Sequence, residues 1–148
     1  MSGNAGAVLF TLAAGVAGAI QVAVNGTLGK RIGTLEAAAF QTAVGMLLFA
    51  AVTLAWRHGF AGVGAAFREP PWLWLGGAMG AVVIGAITFA PTRIGALAVA
   101  AVLISGQLAM SAVIDAFGLF GLDRVAVTWP RAAGLVLLGA GCALILER

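Results

Sequence analysis

Residues 94–117 read IGALAVAAVLISGQLAMSAVIDAF, twenty-four positions in which Asp115 is the one charge. As a helix this run rises about 36 Å, enough to cross the roughly 30 Å of hydrocarbon in a bilayer. Outward from it lie four more apolar runs, at 5–25, 35–56, 72–89 and 130–146. Across all 148 residues, 62% are hydrophobic and 9% charged, where a soluble domain carries about 25% charged residues. The mean hydropathy is +1.10. The longest intervals between the runs, 57–71 and 118–130, are of loop length and leave no room for a soluble catalytic domain. The expected fold is an all-α membrane protein, a single transmembrane domain over 1–148 built as a bundle of five spanning helices.

Breaks in the chain mark the ends of the runs. Lys30-Arg31 closes the first, and Thr34 is the expected N-cap of the second, with Glu36 in the first turn where the helix dipole favours an anion. Arg57-His58-Gly59 ends the second, and Glu69-Pro70-Pro71 opens the third, since proline is tolerated in a first helical turn and breaks an interior. Pro91-Thr92-Arg93 stops the third. Gly118-Leu119-Phe120-Gly121 with Asp123-Arg124 separates the fourth from the fifth, which starts at Thr128-Trp129-Pro130. Trp56, Trp72, Trp74 and Trp129 fall near span ends, where indole prefers the headgroup region. The first run lacks a basic leading segment and exceeds the apolar core of a usual signal peptide, so it is expected to be retained. A lone cysteine, Cys142, excludes an intrachain disulfide and a cysteine-built metal site, and reads as a small packing residue. The net charge of +3 is spread over separate loops, which excludes nucleic acid as a partner.

With five spans, Lys30, Arg31, Arg93 and Arg148 fall on one side of the membrane and Arg57, Arg68, Arg124 and Arg131 on the other, four against four. Orientation follows the Lys/Arg imbalance of short loops, and here there is none. Either the early Lys30-Arg31 pair dominates and fixes one orientation, or both orientations are made and the working unit is an antiparallel pair.

At about 100° per residue, Thr11, Gly15, Gly18, Asn25 and Gly29 share a face of the first helix, with Gln21 at its edge. Ala38, Gln41 and Gly45 share one in the second, Gly76, Gly77 and Gly80 in the third, and Ala96, Ala100, Gln107, Ser111 and Asp115 in the fourth. Small residues on such faces, Gly134 and Gly141 of the fifth helix included, are expected to pack against neighbouring helices. The amides differ, because an unpaired amide in hydrocarbon costs a few kcal/mol that an apolar residue would avoid. Gln107, the deepest, either cross-links helices or faces a wet cavity that admits a substrate. Gln21, Asn25 and Gln41 are less central and carry the same two readings. Asp115 near its helix end is a solvated interfacial carboxylate or an ion-coupling site, and Glu36 is a helix-start anion. Enzyme chemistry finds little support. His58 sits in a loop, no carboxylate pair lies deep in a span, and no His/Cys/Asp/Glu cluster has metal-ligand spacing, so neither metal nor cofactor is expected.

Several segments together resemble one family. They are Gln21-x-x-x-Asn25-Gly26-x-Leu28-Gly29-x-Arg31-x-Gly33 with Ala37-Ala38, Pro71-Trp72-x-Trp74-x-Gly76-Gly77-x-x-Gly80, Gly106-Gln107-Leu108, and Asp115-x-Phe117-Gly118-Leu119-Phe120-Gly121. The chain is similar over nearly its whole length to the YdcZ-type five-span proteins of the bacterial inner membrane, placed in the drug/metabolite transporter superfamily. That resemblance implies half of an inverted-repeat transporter, completed by an antiparallel copy or a related five-span chain. It implies an exporter of small organic molecules or metabolites, multi-pass in the cell inner membrane and in contact with membrane lipids. The four-span multidrug branch carries a glutamate in its first helix, whereas this first helix has Gln21 and Asn25 and no acid, so proton-coupled cation export does not transfer. The expected substrate site is Gln21, Asn25, Gln41, Gln107 and Ser111, with Asp115 as a possible ion-coupling group near one mouth. The rival reading is a non-transporting assembly or accessory subunit whose amides only lock helices together.

Overall fold

A computed structural model describes residues 2–147. Arg148, used in the charge count above, lies outside them. The described chain is helical throughout its apolar runs: α1 (Ser2–Ile32), α2 (Thr34–Arg57), the short α3 (Ala61–Ala65), α4 (Leu75–Phe89), the single turn α5 (Pro91–Ile94), α6 (Ala96–Phe117) and α7 (Trp129–Leu146). Five segments are long and apolar enough to cross a membrane: Ala5–Ile32, Thr34–Arg57, Pro71–Ile94, Ala96–Phe117 and Trp129–Leu146. In the most apolar stretch of any of them, at most 11% of residues are buried within the chain. Their side chains turn outward. That is the arrangement of helices whose apolar solvent is lipid, since backbone hydrogen bonds are satisfied inside each helix.

Two compact units are present. One comprises Ile20–Thr92, the other the chain up to Ala19 together with the chain from Arg93 onward. In the first, α2 packs along α4, and the C-terminal half of α1 approaches the end of α4 closely. A Cβ added at Gly26 would come within 2.8 Å of the Pro91 Cβ, and one at Gly29 within 3.0 Å of the Thr88 Cγ2. Gly26, Asn25, Val22, Ile87 and Thr88 are buried there. In the second unit, α6 packs along α7. Small residues expected to pack do not all do so. A Cβ at Gly15, Gly18, Gly45, Gly76, Gly77, Gly80, Gly134 or Gly141 would meet nothing within 4 Å. Among the described residues these eight positions have open space around the glycine itself.

The turns differ from the expected ones in a consistent way. The N-cap of α2 is Gly33 rather than Thr34, which already lies in the helix, and no side chain caps it. Gly33 has φ 102 and ψ 150, a region open essentially to glycine alone. The chain reverses there in one residue, and no β-region serine or threonine could do that. A Cβ on Gly33 would also strike the Glu36 carboxylate, which folds back over the start of α2 as its first-turn position suggested. Likewise α4 ends at Phe89, but the reversal into α6 comes only after α5, at Gly95, with φ 86 and ψ 155. The fourth span therefore begins at Ala96 and not at residue 94.

The two corners have one sequence. Arg31-Ile32-Gly33-x-Leu35-x-x-Ala38-Ala39 recurs as Arg93-Ile94-Gly95-x-Leu97-x-x-Ala100-Ala101, an offset of 62 positions. Both glycine carbonyls accept a hydrogen bond four residues on, from Ala37 N–H at 3.0 Å and Val99 N–H at 3.1 Å, and both of those residues are buried. Under the same offset Asn25 and Gly26 correspond to Ile87 and Thr88, again buried at both places. Gly29 corresponds to Pro91, so the contacts Gly26 with Pro91 and Gly29 with Thr88 exchange with each other. The offset thus exchanges the two close contacts between the end of α1 and the 88–91 stretch.

Candidate functional site

A cavity of about 450 Å³ lies between α6 and α7. From α6 it is lined by Leu108, Ser111, Ala112 and Asp115, and from α7 by Arg131, Gly134, Leu135 and Leu138. The helices run antiparallel through a common turn, so residue numbers set depth. Asp115 and Arg131 sit at the end nearest the connecting loop, Ser111 and Gly134 a turn further in, and Leu108 and Leu138 about two turns, or roughly 11 Å, from the charged end. Arg131 Nη1 stands 3.8 Å from Asp115 Oδ2, with side-chain exposures of 53% and 43%. Such a pair is long for a charge-assisted hydrogen bond, which closes to about 2.8 Å. Each partner keeps unused bonding capacity.

The loop fixes the acid's position. Gly118 and Phe120 both take left-handed backbone conformations, at φ 63 and φ 59. The chain thereby folds back so that Arg124 Nε donates to the Ala116 carbonyl at 3.1 Å and Val125 N–H to the Asp115 carbonyl at 2.8 Å. Carbonyls at a helix end lack partners within the helix, and here the loop supplies them. Arg124, expected only as a loop charge and break, thus holds the loop, and Arg131, expected only as a loop charge, completes the cavity mouth.

Of the expected site residues, the structure brings Ser111 and Asp115 together in this cavity. Gln107, one turn from Ser111 and halfway along α6, is exposed and does not line it. Gln21, Asn25 and Gln41 belong to the other unit. Gln21 is exposed, Gln41 half-buried and Asn25 buried to 1% relative exposure. Neither Asn25 Nδ2 nor Oδ1 has a hydrogen-bond partner, so Asn25 forms no cross-link within the described chain. Thr88, the other buried polar residue of that contact, satisfies its hydroxyl on the Ile84 carbonyl at 2.7 Å. Two further grooves are lined chiefly by small and apolar side chains, one along Ala7, Thr11, Gly15 and Ala19 with Ile104, the other along Ala23, Thr27 and Arg31. Among the described residues no group of three His, Cys, Asp or Glu could hold a metal ion.

Comparison with known families gives one match: residues 6–144 fit the family described as "DMT_YdcZ: Putative inner membrane exporter, YdcZ". No curated protein and no solved structure matches the chain. The matched range contains the second, third and fourth spans whole, the first and fifth but for one and two terminal residues, and every candidate site residue named above.

Proposed function

The chain belongs to the YdcZ family, a multi-pass inner-membrane family, and on that premise we propose that it exports small organic molecules by alternating access. It works as an antiparallel pair with a second copy or a related five-span chain. The carrying observation is the state of the amides. Gln107 and Gln21 are exposed on spanning helices, and Asn25 is buried without a partner. None of these three side chains takes part in a hydrogen bond among the described residues. Polar groups in hydrocarbon cost several kcal/mol each unless satisfied. A pathway wet enough to carry a polar solute, built where a second chain meets the open faces of this one, satisfies Gln21 and Gln107. The balance of four basic residues against four is consistent with a chain inserted both ways.

Ligand-induced stabilisation of purified protein, screened over small organic molecules, identifies a substrate, because bound ligand raises stability by mass action. Gln107→Leu then separates the readings. If Gln107 lines the pathway, the variant keeps the dimer and its thermal stability while ligand stabilisation is lost. If Gln107 joins helices in a non-transporting assembly, dimer association weakens by roughly 0.6 to 2 kcal/mol instead. A variant with normal transport and full dimer stability removes Gln107 from the site.

A further inference from the structure

We propose that the cavity between α6 and α7 is a binding site for a zwitterionic membrane phospholipid of the phosphoethanolamine class, entering sideways from the surrounding leaflet. This proposal does not depend on export or on pairing.

Three features of the cavity select that class. Its polarity is graded along one axis: an acid and a base at the loop end, the Ser111 hydroxyl a turn below with Gly134 at its level, then Leu108 and Leu138. An amphiphile has the same order of head, ester linkage and tail. The volume, about 450 Å³, lies in the range of roughly 300 to 1,000 Å³ typical of small-ligand sites. The charges select the head. Asp115 and Arg131 are opposite in sign, 3.8 Å apart and each about half exposed, so a ligand can insert between them without leaving either charge unpaired. A head with an ammonium and a phosphate places the ammonium on Asp115 and the phosphate on Arg131, whose planar fork suits phosphate oxygens. An anionic head gains Arg131 but meets Asp115 as a like charge. A quaternary ammonium head has no N–H to donate to Asp115. Ser111 takes part in none of the described hydrogen bonds and faces the level of the ester groups. Lateral entry follows from the cavity's place on two helices that each span the bilayer.

The test uses the full chain, purified in detergent and titrated with dioleoyl-phosphatidylethanolamine, dioleoyl-phosphatidylcholine or dioleoyl-phosphatidylglycerol, with bound lipid counted by native mass spectrometry. The wild type should retain the ethanolamine lipid about tenfold more tightly than the glycerol lipid, with the choline lipid between them. Asp115→Asn should erase or invert the preference, because the glycerol head no longer meets a like charge. Arg131→Gln should weaken both phosphates. Leu135→Trp, which fills the cavity without touching either charge, should lower retention of all three lipids alike, and it keeps the proposal testable if a charge variant fails to fold. Equal retention of the three lipids by the wild type, or a preference that survives Asp115→Asn, overturns the proposal and leaves the cavity as a groove filled by any acyl chain.

Discussion

A buried amide with no hydrogen bond costs about 1 to 3 kcal/mol, and Asn25 of α1 is buried with neither amide atom partnered among the described residues. Its counterpart under the 62-residue offset is Ile87, which fills the equivalent place at no such cost. The first prediction follows from that asymmetry. Asn25→Val, which removes the unpaired groups and adds little volume, should raise stability in detergent by about 1 kcal/mol, read from chemical unfolding. In the proposed exporter the same variant should lose substrate stabilisation, since the amide is useful only in a state where it finds a partner. A variant that is less stable than wild type would mean that Asn25 has its partner in the native membrane protein. At this scale Asn25, Ser111 and Asp115 stand out in the sequence from the helix faces they occupy. Arg131 as Asp115's partner does not. That pairing depends on a loop in which Phe120 adopts a left-handed backbone, a non-local outcome that helical periodicity does not encode.

Element lengths were legible because a bilayer imposes them: a run of about twenty apolar residues has few alternatives to a spanning helix. The corners were less so. Thr34 satisfies the usual preference for an N-cap, yet the reversal is made by Gly33 in a conformation that side chains exclude. The recurrence of Arg-Ile-Gly at 31–33 and 93–95 was present in the sequence, and aligning the chain with itself displays it. Gly33→Ala and Gly95→Ala should each destabilise the fold by about 1 to 3 kcal/mol, measured by thermal or denaturant unfolding in detergent. Gly76→Ala, at a site with open space around it, serves as the control and should leave the isolated chain's stability within about 0.5 kcal/mol of wild type. Equal loss at all three positions would mean that the corners carry no special strain.

Over the whole chain, the balance of basic residues between the two sides leads to the third expectation. C-terminal reporter fusions should show activity on both faces of the membrane, and replacing Arg57 should shift the population strongly toward one of them, since a balanced system answers to a single charge. A reporter confined to one face, and indifferent to that replacement, would leave pairing with a differently oriented relative. The corners bear on how such a chain can move. A reversal made in one residue leaves no loop between the end of α1 and the start of α2, nor between α5 and α6. The longer connections are residues 58–70, which carry the short α3, and 118–128, which Arg124 and Val125 tie back to the end of α6. Each Arg-Ile-Gly corner is in mechanical terms a close-coupled joint, set by one glycine in a conformation that a side chain excludes.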